Sequence, residues 1–274
     1  MNILRIVAKS FSESVQLCRF LPFFLLYLVL LFTAAIFMIP IIKISPSIFT
    51  SDISKIISGA VAINLMPILI VLTIVIFANL WFVGALVYNI QTGKNFDESL
   101  KYSSSIYWHL LAFSLFAIIF TLLTYFAQFG LIFGLIFDII FFVSIPAIIM
   151  EKNFLKGIKS SFDLMKKRFL QTVLIWIVVS VINLILFFAL LFSIASIFAP
   201  LLANFFTMNP YMNTSKAFST EQYVQLAGFI LNNYHYVFLS CIISAFFFSV
   251  MAVFTYTSKT YFFLSISKKT FKFS

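Results

Sequence analysis

Long apolar segments constrain the fold of this chain more than any other feature of its sequence. Residues 172–199 contain no charged side chain, and comparable apolar runs recur along the sequence. About 20 such residues are enough for a helix to cross the hydrocarbon core of a bilayer. Charged residues make up 9% of the chain, against about 25% in soluble domains. The sequence therefore excludes a water-soluble globular protein, and it also excludes an outer-membrane barrel, whose strands are short and alternating.

The apolar runs predict an all-α polytopic membrane bundle with about six transmembrane helices, in one domain over residues 1–274. Asn64 and Pro67 are expected to bend the long region 56–88 or to hold its first part at the interface. Span five is expected to end at Pro200, and a polar connection containing Lys43 and Pro46 is expected after span one. The predicted spans cover residues 20–42, 66–88, 106–125, 129–150, 172–199 and 237–262.

Two segments between or before these spans have the spacing of amphipathic helices, 3–19 and 152–169. Such helices are expected to lie in the cytoplasmic membrane interface. The predicted apolar stripe of the second comprises Phe154, Ile158, Phe162, Met165 and Phe169. In the first, Leu4, Val7, Phe11, Val15 and Cys18 are predicted on the apolar side, and Arg5, Lys9, Ser12, Glu13 and Gln16 on the polar side.

The two amphipathic segments also resemble each other in sequence. Each contains a Ser-Phe pair, then polar residues, then Arg-Phe-Leu before a long apolar run, at Arg19 and at Arg168. The match requires a gap of two residues. It raises the hypothesis of an internal repeat of helical hairpins, although shared membrane constraints also account for it.

Basic residues determine the predicted orientation. Fifteen of the 18 Lys and Arg residues fall on one side of the predicted spans, and the other side has only Lys43, Lys55 and Lys216. By the positive-inside rule, both termini are predicted to be cytoplasmic, in a multi-pass protein of the plasma (inner) membrane. The net charge of +10 is thereby explained by topology, and no nucleic-acid partner is expected.

Residues near the end of span four carry a family resemblance. The stretch IPAIIMEKNFLKGIKSSFDLMKKRFLQTVLIWIV has a proline (Pro146), then an acid (Glu151), and then an amphipathic helix with Gly157, Ser160 or Ser161, Leu164 and Phe169. It resembles a broad family of six-span bacterial and archaeal membrane proteins, mostly of unknown function. The family includes the membrane domain fused to glycerophosphodiester phosphodiesterases. Catalysis in those fusions belongs to the soluble domain, so the resemblance implies no catalytic residues in this sequence.

A search for catalytic or metal-binding patterns finds none. The sequence has no zinc-protease HExxH, no phosphate-binding GxxxxGK[ST] and no dinucleotide-binding GxGxxG. His109 and His235 are predicted near opposite faces of the membrane, so they are not expected to share a metal. We therefore expect a protein that is not an enzyme and that has no cofactor.

Asp138 is the one acid predicted near the middle of a span. A carboxylate there costs about 2.5–3.5 kcal/mol on insertion scales, so it is expected to face protein or a water-filled cavity. One hypothesis makes Asp138 a proton or cation site, with Asn79 and Asn183 as partners. The alternative is a protonated Asp138 in an interhelical hydrogen bond, favoured because no Lys or Arg is predicted within the membrane to pair with it.

Two small features complete the predictions. Gly130 and Gly134 have the small-xxx-small spacing that permits close helix packing. A set of basic residues on segment 152–169 predicts contact with anionic lipid headgroups: Lys156, Lys159, Lys166 and Lys167.

Taken together, these features predict a non-enzymatic integral membrane protein with a lipid-associated or membrane-assembly role. Its expected partners are membrane lipids, further copies of itself or another membrane protein. The alternative function is a small transporter or permease with Asp138 as its intramembrane site.

Overall fold

The computed structural model describes residues 3–50, 59–125, 130–208, 225, 228–229 and 232–267. Apart from short turns, these residues are helical, and no strand occurs among them. The helices are α1 (Ile3–Ser14), α2 (Leu17–Thr50), α3 (Gly59–Thr92), α4 (Phe96–Tyr125), α5 (Gly130–Ile140), α6 (Ser144–Glu151), α7 (Phe154–Lys167), α8 (Phe169–Met208) and α9 (Tyr234–Ile266).

Six stretches of the described helices are long and apolar enough to cross a membrane. The all-α fold and the number of spans are confirmed, because apolar runs longer than the bilayer core leave the chain no other way to satisfy its backbone hydrogen bonds. The candidate spans are Leu17–Met38, Leu65–Thr92, Phe96–Leu123, Ile132–Glu151, Phe169–Phe205 and Tyr234–Ile266.

Two helices continue past the predicted ends of their spans. Helix α2 continues through Lys43 and Pro46, where a polar connection was expected. Helix α8 runs through Pro200 and ends at Met208. A proline removes one backbone hydrogen bond, and a membrane helix tolerates this loss when neighbouring groups compensate. Helix α4 begins at Phe96, so the segment before predicted span three is part of the same helix.

The fourth candidate span is broken near its centre. Helix α5 ends at Ile140 and α6 begins at Ser144. Pro146 explains the break, because it has no N–H for the Phe142 carbonyl and its ring crowds that oxygen. Two side chains compensate nearby: the buried Gln91 amide donates to the Pro146 carbonyl at 2.9 Å, and the Ser161 hydroxyl donates to the Ile140 carbonyl at 3.2 Å.

Contacts divide the chain into two compact units. Unit 1 comprises Met1–Phe23, Phe77–Ile185 and Ser249–Ser274. Its core brings together the break in span four, the first half of α8 and the second half of α9. The buried residues of this core are Phe142, Val143, Ala147, Ile175, Val179, Phe254, Phe262, Phe263 and Ile266.

Unit 2 comprises Phe24–Ile76 and Leu186–Phe248. Aromatic side chains pack α2 against α9 in this unit. The rings of Phe32 and Phe238 meet edge to face at 5.4 Å, and the Cys241 thiol donates to the Leu31 carbonyl at 3.7 Å. Unit 2 is thus held by apolar packing between long helices.

Close helix packing occurs at Gly84 and Gly157, but not at Gly134 of the predicted pair. A Cβ added at Gly134 would meet nothing within 4 Å, so no close approach takes place there. At Gly157 of α7, a Cβ would lie 2.6 Å from the Ile148 Cα of α6. At Gly84 of α3, it would lie 2.2 Å from the Ser103 hydroxyl oxygen of α4. Gly157 therefore determines how closely α7 approaches α6.

Candidate functional site

Asp138 lies in a small cleft of unit 1 with an opposite charge, that of Lys259. The cleft has a volume of about 150 Å³ and is formed by α4, the break between α5 and α6, and α9. Its other lining residues are mostly aromatic. The full lining is Phe113, Ala117, Phe137, Asp138, Phe141, Phe142, Ile145, Tyr256 and Lys259.

Lys259 is held in this cleft by two rings. Its Nζ lies 5.1 Å from the centre of the Phe142 ring and 5.6 Å from that of the Tyr256 ring. At distances below about 6 Å, the negative face of an aromatic ring attracts an ammonium group. Phe142 is also the residue at which the fourth span breaks, so the break brings a ring to the lysine.

The expected environment of Asp138 is therefore wrong in one respect. Lys259 lies within the candidate span Tyr234–Ile266 and lines the cleft of Asp138, although no intramembrane cation was expected. Neither Asn79 nor Asn183 lines this cleft. The Asn183 amide donates instead to the Thr255 hydroxyl at 2.8 Å.

The predicted headgroup lysines fall into two groups on α7. Three of them line one surface pocket of about 320 Å³, which we call the lysine pocket. Lys166 does not line it, and its Nζ lies 5.8 Å from the centre of the Phe162 ring. The lysine pocket is lined by Glu151, Lys156, Lys159, Ser160, Asp163, Leu164 and Lys167.

Helix α7 has a buried face that coincides only partly with its predicted apolar stripe. Gly157, Ser161 and Met165 are buried, whereas Phe162, from the predicted apolar stripe, is exposed. Small residues let α7 approach α6 closely, and the Ser161 hydroxyl bonds to Ile140. The close packing of this helix therefore depends on its small residues, and Leu155 and Phe162 remain exposed.

A polar network in unit 1 was not predicted at all. The Glu13 carboxylate accepts hydrogen bonds from the Arg19 guanidinium and from the Tyr261 hydroxyl. Arg19 Nε also donates to the Asn89 side-chain oxygen at 2.9 Å. We call these four residues the Glu13 network; it connects α1, α2, α3 and α9.

Glu13 was predicted on the polar side of α1, and in the structure this residue is buried. The Glu13 and Arg19 side chains are 11% and 15% exposed, because each supplies the charge that the other requires. Lys9 adds a further contact, with its Nζ 4.3 Å from the centre of the Tyr261 ring. The one signal of the Glu13 network in the sequence is that Glu13 is the single acid of segment 3–19.

The described residues contain no group of three or more His, Cys, Asp or Glu side chains that is able to hold a metal ion. Glu13, Asp138 and Asp163 each lie with basic partners instead. Together these arrangements give three polar sites, each in unit 1: a charged cleft at a helix break, a lysine pocket, and the Glu13 network. Comparison with protein-family models, with curated proteins and with solved structures found no match to this chain.

Proposed function

We propose that this integral membrane protein has a non-enzymatic, lipid-associated or membrane-assembly role. The observation that carries the proposal is the apolar surface that unit 1 exposes along two helices. Exposed side chains of α4 include Trp108, Leu115, Ile118, Ile119 and Leu122, and those of α8 include Leu170, Leu174, Ile177 and Val181.

Exposed apolar surface of this extent is unfavourable in water. Lipid chains or another membrane protein would cover it. The lysine pocket supplies a polar counterpart on the helix that joins the fourth and fifth spans. We further propose that the protein is in the plasma membrane with both termini cytoplasmic, which the distribution of basic residues supports. The proposal is in keeping with the resemblance to six-span membrane proteins noted above.

Spin labels test whether lipid covers these faces. Leu115→Cys and Leu174→Cys, in a Cys18→Ser and Cys241→Ser background, carry the label in proteoliposomes, and Leu110→Cys is the buried control. We expect the labels at positions 115 and 174 to collide with oxygen, which dissolves in lipid, and to be protected from a water-soluble nickel chelate. The label at 110 should be protected from both, because Leu110 is fully buried.

Access of the nickel chelate to positions 115 and 174 would contradict the proposal, because it would place an aqueous cavity where lipid is expected. A second measurement tests the role of lipid directly. The purified full chain should retain phospholipid, detected by mass spectrometry, and its unfolding midpoint should fall when detergent exchange removes that lipid. An unchanged midpoint with no retained lipid would also contradict it.

The second candidate function is a small transporter or permease, favoured by the cleft of Asp138. Broken membrane helices occur where the interrupted backbone is buried in protein or lines a cavity, and they form ion and substrate sites in transporters. Here the break at residues 141–143 adjoins a carboxylate and an ammonium group. The cleft, of about 150 Å³, has room for water or a small ion.

Asp138→Asn separates these two functions. If the lipid-associated role is correct, the variant should show the same proton and cation flux in proteoliposomes as the parent chain. Loss of a measurable flux in Asp138→Asn, with unchanged amounts of reconstituted protein, would favour the transporter. Thr255→Val serves as the matched control, because it removes a polar contact within unit 1 without changing a residue that lines the cleft.

A further inference from the structure

The lysine pocket has charges of both signs, and this determines the ligand it fits. Three ammonium groups, of Lys156, Lys159 and Lys167, share the pocket with two carboxylates, of Glu151 and Asp163. A ligand with only negative charge would contact the lysines but would be repelled by the carboxylates. A ligand with a phosphate and a cationic group on the same short headgroup satisfies both.

The Asp163 carboxylate and the Lys159 ammonium group on α7 are accessible to a ligand from outside the protein. Lys159 and Asp163 are four residues apart on one helix face, a spacing at which ion pairs form. Within the described residues, however, neither takes part in a salt bridge. Both side chains are exposed, so their hydrogen-bonding groups remain accessible.

The lining residues also indicate which cation the ligand carries. Quaternary ammonium groups, such as choline, have no N–H and are recognised by aromatic cages, and no aromatic residue lines this pocket. A primary ammonium group has three N–H donors, and the exposed Asp163 carboxylate is able to accept from it. The pocket therefore favours an ethanolamine-type group over a choline-type group.

The size of the pocket fits one headgroup. Its volume of about 320 Å³ lies at the lower end of the roughly 300–1,000 Å³ that small-molecule pockets occupy. Phosphate would lie among the lysines, where charge-assisted hydrogen bonds are strongest. The Ser160 hydroxyl, which also lines the pocket, is a further donor.

The exposed apolar side of α7 indicates that the headgroup belongs to a lipid. Each residue advances a helix by about 100°, so Leu155 and Phe162 lie roughly a third of a turn from the pocket face around Asp163. Both of these side chains are exposed. An acyl chain is able to lie along Leu155 and Phe162 while its headgroup lies in the pocket, whereas a soluble ligand would use only the polar face.

We propose that the lysine pocket binds a phosphate and a primary ammonium group of one headgroup, and that the ligand is an ethanolamine-type glycerophospholipid. This inference rests on the lipid-associated role proposed above and specifies the lipid. Lys156, Lys159 and Lys167 bind the phosphate, and Asp163 selects the ammonium group. Lys166 has the same charge on the same helix but does not take part.

The test uses the purified full chain in detergent, with bound lipid counted by native mass spectrometry. The probes are phosphatidylethanolamine, phosphatidylcholine and phosphatidylglycerol of equal chain length, and soluble phosphoethanolamine as competitor. We expect phosphatidylethanolamine to bind at least about tenfold more tightly than phosphatidylcholine, the difference that one or two charge-assisted hydrogen bonds produce. Excess phosphoethanolamine should compete weakly, because it has no acyl chain.

Three variants identify the residues responsible. A triple variant, Lys156→Gln with Lys159→Gln and Lys167→Gln, should lose about tenfold or more in affinity for phosphatidylethanolamine. Lys166→Gln, the matched control, should lose less than about twofold. Asp163→Asn should weaken the binding of phosphatidylethanolamine, because the ammonium group loses its carboxylate. It should strengthen the binding of phosphatidylglycerol, because it removes the carboxylate that repels an anionic headgroup. Equal unfolding midpoints for all variants would show that folding is unaffected.

Equal binding of the three lipids, or an equal loss in Lys166→Gln and in the triple variant, would overturn the assignment of this pocket. Binding of soluble phosphoethanolamine as tight as that of the lipid would overturn the lipid assignment. These failures differ from failure of the lipid-associated role itself. If only the assignment of the pocket fails, the chain still retains lipid but without headgroup preference. If the lipid-associated role fails, the chain retains no lipid and its stability does not depend on lipid.

Discussion

The stretch around Glu13 and the stretch around Asp163 each place an acid a few residues before an Arg-Phe-Leu triplet and a long apolar helix. In the first, the acid is buried and bound to Arg19. In the second, Asp163 is exposed and lines the lysine pocket, and Arg168 is also exposed. Closely similar sequences therefore form an internal ion pair in one place and an open polar surface in the other.

The position of the helix break explains the difference. Helix α1 ends at Ser14 and α2 begins at Leu17, so Arg19 lies inside the second helix and its guanidinium reaches back to Glu13. Helix α7 ends at Lys167 and α8 begins at Phe169, which leaves Arg168 at the junction itself. Its backbone N–H bonds to Leu164 and Met165. A shift of the break by a few residues thus decides whether the acid and the arginine meet.

The largest expected effect is that of Glu13→Ala. It leaves the Arg19 guanidinium mostly buried without its counter-charge, and removal of one partner of a buried ion pair costs about 3–5 kcal/mol. The free energy of unfolding, measured by denaturing-detergent titration, should fall accordingly. Asp163→Ala should change it by less than about 0.5 kcal/mol, as is usual for exposed sites. Equal effects of the two substitutions would remove the distinction between the two stretches.

Arg19→Lys is expected to have the next largest effect. The guanidinium bonds to Glu13 and Asn89 at once, and a lysine ammonium does not reproduce this planar geometry. Loss of one hydrogen bond to a charged group costs about 1.5–3 kcal/mol. Arg168→Lys is the matched control, with an expected change near zero in the same unfolding titration. A large effect at Arg168 instead would mean that the second stretch also depends on its arginine.

Gly157→Ala examines how tightly α7 is held against α6. The added Cβ would lie 2.6 Å from the Ile148 Cα, so one of the two helices has to move, at a cost of about 1–3 kcal/mol. Gly134→Ala adds the same group where nothing lies within 4 Å, and it should be neutral or stabilising by up to about 1 kcal/mol. Thermal unfolding of the two variants side by side checks this difference. A neutral Gly157→Ala would contradict the close packing.

Asn153→Ala should have the smallest effect of this series, a loss of about 1 kcal/mol. The Asn153 side-chain oxygen accepts from the Lys156 backbone N–H at 3.1 Å and caps the start of α7. Asn95 precedes α4, but its backbone carbonyl rather than its side chain accepts from Ser99. Asn95→Ala should therefore cost less than Asn153→Ala. Hydrogen exchange of the first turn of α7 measures the loss of the cap locally.

The number of spans follows from local sequence, because apolar length alone predicts a span. The missing N–H and the ring of Pro146 account for the break in the fourth span, but other prolines of this chain lie inside unbroken helices. The precise ends do not follow, since helices α2 and α8 continue through prolines when the rest of the helix remains bonded.

The candidate sites are harder to predict, because they join residues far apart in sequence. Asp138 and Lys259 share a cleft only because α5 and α9 are rotated toward each other, and the hydrophobic pattern of neither helix specifies that rotation. Glu13 would face outward by its polarity alone, and its burial is stable only with Arg19 and Tyr261 present. The lysine pocket was partly predictable, but the exclusion of Lys166 depends on its contact with Phe162.

The bond between Tyr261 and Glu13 has a consequence for the synthesis of the protein. It joins residues 248 positions apart, and ribosomes add about 5–20 residues per second. Roughly 10–50 seconds therefore pass between the emergence of the carboxylate and that of its phenol partner. Arg19 follows Glu13 within about a second, so the ion pair is able to form long before Tyr261 is synthesised. Helix α9 then adds the bond from Tyr261 to the carboxylate of α1.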